Sequence, residues 1–153
     1  MIGKMPGTLK LRIVTPERIV LETDVEQVTA TSVDGELSIL PQHEPLVTAL
    51  AIDILRYTLP PSPARQHKED EFAAIMGGIL EVKNDEVTVL SDMAELDVDI
   101  DAAKAKEDKE RHEAEKLQKT DKLDVYVSEL AISRAVARLK AHEFRQRKRR
   151  GSI

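Results

Sequence analysis

The spacing of apolar positions changes once along the chain. Up to about residue 95 they recur in short alternating runs. Leu9-Lys10-Leu11-Arg12-Ile13 sets leucine and isoleucine on one face and lysine and arginine on the other, which predicts a half-buried strand. Similar runs predict strands at Arg18 to Glu22, Val25 to Ser32, Glu36 to Leu40, Ile52 to Leu59, Phe72 to Met76, Ile79 to Val82 and Glu86 to Leu90. Lys83-Asn84-Asp85 links the last two as a tight hairpin, and Pro60 to Asp70, with three prolines and several charges, reads as an exposed loop. Many short strands so spaced indicate an antiparallel sandwich or barrel rather than alternating strands and helices.

From Asp101 the chain turns to Ala, Lys, Glu and Arg, and no Pro or Gly occurs between Ile79 and Arg150. Asp97, Asp99 and Asp101 are placed to cap and charge the start of a first helix running to about Lys119. Glu107 with Arg111, and Glu115 with Lys119, are spaced for ion pairs along it. Thr120-Asp121 supplies a turn and a cap for a second helix. On that helix Leu123, Val127 and Leu130 form one apolar stripe, and Ile132, Val136 and Leu139 another. One stripe is expected to cover the Ala-rich first helix and the other to meet the sandwich or another subunit. The chain therefore divides into an all-β sandwich N-terminal domain over residues 1–95 and a C-terminal two-helix antiparallel hairpin over residues 96–150 with a basic tail.

The first helix has one large apolar residue, Leu117. Burying such a side chain contributes roughly 1.5 to 3 kcal/mol, whereas ordering each residue costs about 1 to 2 kcal/mol of backbone entropy. A hairpin with so few large apolar groups is expected to be marginal and to dock reversibly.

Composition narrows the chemistry. The 153 residues include no cysteine, which excludes disulfides, Cys-ligated zinc and a thiol nucleophile. Two tyrosines, two phenylalanines and no tryptophan leave no aromatic platform for stacking bases. No stretch approaches the roughly 18 apolar residues of a membrane span, so no direct membrane insertion is expected. Residues 1–100 hold 8 basic and 18 acidic side chains, a balance of −10, while residues 101–153 hold 15 basic and 10 acidic, a balance of +5. That asymmetry points to two parts with different partners.

Asp34-Gly35-Glu36-Leu37-Ser38-Ile39-Leu40-Pro41-Gln42-His43-Glu44-Pro45-Leu46-Val47-Thr48-Ala49-Leu50 resembles the signature of F-type ATP synthase epsilon subunits. Gly77-Gly78-Ile79-Leu80-Glu81-Val82 and the run Val87 to Asp92, followed by Ala94-Glu95, extend the resemblance, which covers about Leu9 to Phe144. It implies a non-catalytic rotor subunit of the central stalk that couples ion flow through the membrane ring to ATP synthesis, with C-terminal helices that inhibit ATP hydrolysis. The implied partners are the gamma subunit and the membrane c-ring, plus the alpha and beta catalytic subunits through the helices. It also implies a peripheral location on the cytoplasmic face of a bacterial inner membrane, as part of the F1 sector. The implied contacts are the His43 loop against the shaft, the turn Asp34-Gly35-Glu36 against the ring, and Arg134, Arg138 and the tail against the catalytic subunits. Ser38 and Gln42 stand where the signature carries glycines, so the loop is expected to shift if those positions need a positive φ.

Ile100-Asp101-Ala102-Ala103-Lys104-Ala105 is similar to that family's regulatory ATP motif, with Lys104 in place of arginine. Lysine neutralises phosphate but lacks arginine's planar fork, so Asp101 and Lys104 imply at most weak regulatory ATP binding, and no cofactor is required. His43 has no partner at a spacing meaningful for catalysis or metal binding, so it is expected to serve structure or an interface. Asp97-Val98-Asp99-Ile100-Asp101 looks like the start of a calcium loop, but Ala102 takes the glycine position and Asp108 replaces the bidentate glutamate, so no metal site is expected. Nor is there a Gly-rich phosphate loop with lysine. The residues Arg145-Gln146-Arg147-Lys148-Arg149-Arg150, taken by composition alone, also fit a stand-alone β-sandwich binding module with a basic nucleic-acid-binding tail. The resemblance favours protein partners and no nucleic acid.

Overall fold

The computed structural model describes residues 6–151. Eight strands follow one another: β1 (Leu9–Val14), β2 (Ile19–Val25), β3 (Gln27–Ser32), β4 (Gly35–Ile39), β5 (Leu46–Leu59), β6 (Glu69–Lys83), β7 (Glu86–Leu90) and β8 (Ala94–Leu96). One 3-10 turn, Asp97–Asp99, leads into helices α1 (Ala102–Gln118) and α2 (Lys122–Gly151). The strand order is β2-β1-β7-β6-β5-β3-β4, with β8 added beside β6. All pairings are antiparallel except that of β1 with β7. The fold is the β-sandwich followed by two helices that the apolar pattern indicates.

Inward-facing Leu9, Leu11, Ile13, Val25, Val28, Ile39, Leu55, Leu80, Val82, Val87 and Val89 are buried together and fill the sandwich. The core is aliphatic, and Tyr57 is its one aromatic. Burial first, and then the charges of Glu71 and Asp97, push the Tyr57 hydroxyl's pKa well above its ordinary value, so it stays neutral.

The chain departs from the expected strand bounds in four places. Val25 to Ser32 is two strands broken at Glu26, whose N–H donates to the Thr58 carbonyl at 2.8 Å. Val25 and Val28 are three residues apart and would face opposite ways on one strand; the break lets both enter the core. Strand β5 begins at Leu46, immediately after Pro45, rather than at Ile52. The two strands expected around Gly77-Gly78 are one long strand, β6, paired with β5 from Leu59↔Glu69 to Leu46↔Val82. Both glycines have positive φ (79° and 114°), bending β6 without ending its ladder. A Cβ on Gly78 would lie 2.0 Å from the Leu90 carbonyl oxygen, so only glycine fits there. Finally, β8 pairs with Ala73–Ile75 and is too short to register as an alternating run.

Lys83 and Glu86 close the β6–β7 hairpin around Asn84 and Asp85, both at positive φ (51° and 60°), the signature of a two-residue turn matched to strand twist.

The expected hairpin packing needs correction. Its buried residues are Ala105 on α1 and Ser128, Ala135, Ala137 and Ala141 on α2. Leu123 is 67% exposed and Val127 54%, so two of the three residues of the first stripe face solvent, while Leu130 is half-buried. Small side chains let the helices and the sheet approach closely, while Ile132 and Leu139 of the second stripe are half-buried and Val136 is exposed. The i,i+4 pairs also differ. Arg111 reaches Asp108 at 3.0 Å and Glu115 at 4.0 Å rather than Glu107, and Glu115 also takes His112 at 3.2 Å rather than Lys119.

Candidate interface surfaces and the hairpin dock

The turn Asp34-Gly35 joins β3 to β4. The Ser32 hydroxyl donates to the Gly35 carbonyl at 2.8 Å and accepts from the Asp34 N–H at 3.1 Å, and Gly35 has φ 125°. Asp34, Gly35 and Glu36 are all exposed at this end of β4, beside Val33, which is 65% exposed. The His43 loop lies at the other end. The His43 N–H donates to the Leu40 carbonyl at 3.2 Å, and its ring Nδ1 is 2.6 Å from the Glu44 carbonyl. The two segments that the resemblance implies as contacts thus sit at opposite ends of one short strand.

The glycine substitutions behave differently from expectation. Gln42 keeps a left-handed backbone with φ 67°, its N–H held by the Asp85 carboxylate at 2.5 Å from the tip of the β6–β7 turn. Ser38 lies in extended β4 opposite Thr29, with the two hydroxyls 3.0 Å apart. One position tolerates its side chain through a long-range hydrogen bond, and the other places no demand for glycine.

An exposed apolar band crosses the outer face of the sandwich. Ala49, Ile79 and Leu90 stand side by side on β5, β6 and β7, with Ile79 and Leu90 about half exposed. Next to them is a shallow cavity of about 430 Å³ lined by Val14, Pro16, Gly78, Ile79 and Leu90.

The hairpin lies on another outer surface. Phe72, Ala74 and Met76 of β6 pack with Ile100, Ala137 and Ala141, flanked by Ile52, Ile54 and Phe144. The rings of Phe72 and Phe144 are 5.6 Å apart. Three cations of α2 reach the sandwich: Arg138 meets Glu95 at 2.9 Å, Lys140 meets Asp53 at 2.7 Å, and Lys148 meets Glu69 at 2.6 Å and Glu71 at 3.3 Å. Burial would raise the Asp53 pKa, but hydrogen bonds from Lys140, the Ile54 N–H and the Thr31 hydroxyl overrule it and hold the carboxyl below its ordinary value. The Lys148 hydrogen bond likewise lowers Glu69, against a smaller opposing effect of burial, with the charges of Lys148 and Arg65 adding to the decrease.

The remaining sequence-derived sites fall on this dock. Asp101 caps α1, its carboxylate accepting from the Lys104 N–H at 3.0 Å. Lys104 and Arg138 share a cleft of about 230 Å³ with Glu95, Asp99, Asp101 and Asp108, so four carboxylates surround two cations. Arg134 is half-buried, with its Nε lacking a hydrogen-bond partner. Of the calcium-like acidic run, Asp101 is a cap and Asp97 is 2% exposed with one oxygen unpartnered. Among the described residues no cluster of His, Asp or Glu is arranged to hold a metal ion, and no helix is long and apolar enough to cross a membrane.

Sequence reasoning did not single out Asp53, Glu69 or Lys140, and it read Asp97 as part of a helix cap rather than as a buried carboxyl. The opposite charge of the two halves was the available signal, since part of it is spent between them.

An aliphatic sandwich with exposed loops at both ends of one strand, an apolar outer band and a hairpin held by a small apolar patch and ion pairs defines a class of protein built for protein contacts. The model of the ATP synthase delta/epsilon chain β-sandwich domain matches residues 8–97, and that of the delta/epsilon long α-helix domain matches residues 99–143. ATP synthase epsilon chains from Desulforamulus reducens and Moorella thermoacetica are 41% and 39% identical, covering 91% and 88% of this chain and 100% and 96% of theirs. In fold, the chain is similar to one in the Euglena gracilis mitochondrial ATP synthase OSCP/F1/c-ring assembly, with TM-score 0.72, 23% identity, and coverage of 92% of this chain and 84% of that one. It is also similar to one in the Tetrahymena thermophila mitochondrial ATP synthase central stalk/c-ring, with TM-score 0.58, 17% identity, and coverage of 92% and 99%. The chain belongs to the ATP synthase delta/epsilon family and groups with the epsilon chains of F-type ATP synthase.

Proposed function

We propose that this epsilon-type chain is a non-catalytic rotor element whose sandwich joins the central shaft to the membrane ring and whose hairpin leaves its dock to obstruct ATP hydrolysis. In this reading it sits peripherally on the cytoplasmic face of a bacterial inner membrane. The His43 loop, with the apolar band as further surface, faces the gamma subunit, and the Asp34-Gly35-Glu36 turn faces the c-ring. Their placement at opposite ends of β4 supports two simultaneous contacts. Arg134 and Arg138 approach the alpha and beta subunits once the hairpin is released, which requires Arg138 to exchange Glu95 for a carboxylate on the partner.

The observation that carries this reading is the nature of the dock: one small apolar patch around Phe72, Met76, Ile100 and Phe144, with alanines of α2 and ion pairs beside it, a contact suited to reversal. Because the chain has no cysteine of its own, Asp53→Cys and Lys140→Cys can be joined by a bifunctional thiol reagent in the assembled synthase. Locking the hairpin down is expected to keep ATP hydrolysis high where the unlinked complex is latent. Equal hydrolysis in linked and unlinked complexes would remove the inhibitory role.

Regulatory ATP belongs to the same reading as a weak contact at Asp101 and Lys104. Lys104 offers one charge to phosphate among the four carboxylates of its cleft. Lys104→Arg is expected to strengthen the calorimetric heat of ATP binding, and no heat from either protein at millimolar ATP would exclude the site.

A further inference from the structure

The last two turns of α2 lie beyond the segment that the family's helix model matches, which ends at residue 143, whereas the helix runs to Gly151. This extension is not simply a solvated basic tail. Phe144 packs on Phe72, and the Arg147 guanidinium lies 5.5 Å over the Phe144 ring. Lys148 is drawn inward to three acceptors at the start of β6: the Glu69 carboxylate at 2.6 Å, the Asp70 carbonyl at 2.6 Å and the Glu71 carboxylate at 3.3 Å.

The receiving side is itself ordered. The proline-rich β5–β6 loop folds back on itself through paired Ser62–Arg65 backbone bonds of 2.9 and 2.6 Å, and the Arg65 guanidinium donates twice to the Pro60 carbonyl. Arg65 also stands 3.9 Å from Glu69, and Lys68 bonds Glu26 of the bend before β3 at 2.7 Å. Glu69 is therefore positioned by the loop before Lys148 arrives, which reduces the ordering cost of the contact.

We propose that the α2 extension and the β5–β6 loop form a clasp in which Lys148, seated on Glu69, the Asp70 carbonyl and Glu71, fastens the hairpin to the sandwich and sets how readily it is released. Three acceptors on one ammonium, about one quarter exposed, make a stronger contact than a single surface ion pair. Its place at the far end of α2 from the hairpin turn gives it leverage, because freeing this end exposes the Phe72–Phe144 contact next. The consequence for hydrolysis rests on the inhibitory reading above, but the clasp itself does not.

Hydrogen exchange of the full-length chain separates the two. Lys148→Met keeps the helix-forming stem and removes the charge, Glu69→Gln removes its principal partner, and Lys109→Met, whose pair with Glu113 lies within α1, serves as the control. Lys148→Met is expected to speed exchange across α2 about three- to ten-fold with β5 unchanged, and Glu69→Gln to do the same to a smaller extent. The double variant should add little to Lys148→Met, as expected for residues sharing one contact. Unchanged α2 exchange in Lys148→Met, or single effects that sum independently, would overturn the clasp. If exchange accelerates while hydrolysis by the assembled synthase does not fall, the clasp stands and the inhibitory reading fails.

Discussion

At the scale of single residues, two positions carry the clearest physical demands. Gly78 occupies φ 114° with no room for a Cβ against the Leu90 carbonyl. Gly78→Ala is expected to destabilise the sandwich by about 3 kcal/mol or more, read as a fall in the thermal midpoint, because strain and backbone collision add. Asp97 is buried at the junction of sandwich and hairpin. It faces Glu71 of β6 and Tyr57 of β5, with Arg145 and Lys148 of α2 opposing. Burial, and then Glu71, raise its pKa above the ordinary 3.8. A carboxyl so shifted destabilises the fold as pH rises from that value through its folded pKa, because the folded state then resists the charge the unfolded chain accepts. Asp97→Asn is therefore expected to raise the thermal midpoint at pH 7 and to leave it unchanged below pH 3.8. Asp53 and Glu69 act with the opposite sign, since their lowered pKa values give stability above the ordinary values of 3.8 and 4.5 that is lost as pH falls through the folded ones. Docking should accordingly weaken in strong acid, and Lys140→Met should flatten that acid loss.

At the scale of elements, most of the fold was legible because alternation survives wherever one face is buried and the other wet. β1 and β7 are of that kind. Legibility failed at Gly77-Gly78, which reads as a break between two strands but only bends β6, whose ladder with β5 runs on across both glycines. It failed again on α2, because size was taken as the mark of a contact face. Leu123 and Val127 are outside and Ala135, Ala137 and Ala141 inside. An alanine face specifies close approach, so Ala137→Leu is expected to overpack the dock by about 1–3 kcal/mol and to raise α2 exchange with the strands unaffected. The Asp34-Gly35 turn and the loop around His43 were legible as turns from their residues, whereas their role as contacts is implied only by the resemblance. The long-range hold of Asp85 on Gln42 was not, since 43 residues separate them and nothing local announces it.

At the scale of the whole molecule, opposite net charges in the two halves serve each other. Arg138, Lys140 and Lys148 spend their charge on Glu95, Asp53, Glu69 and Glu71 in the docked state. Release exposes cations on α2 and carboxylates on the sandwich together, so each must find new counter-charges. Raising salt from about 0.05 to 0.5 M shortens the screening length and is expected to loosen the hairpin while sparing the aliphatic core. In the proposed reading, sandwich and hairpin are units of unequal stability joined by a reversible contact. Native-state hydrogen exchange across the full-length chain tests it most directly. The amides of α2 should exchange through an opening of clearly lower free energy than those of β5 and β6. A single shared opening free energy for helices and strands, insensitive to salt, would contradict it.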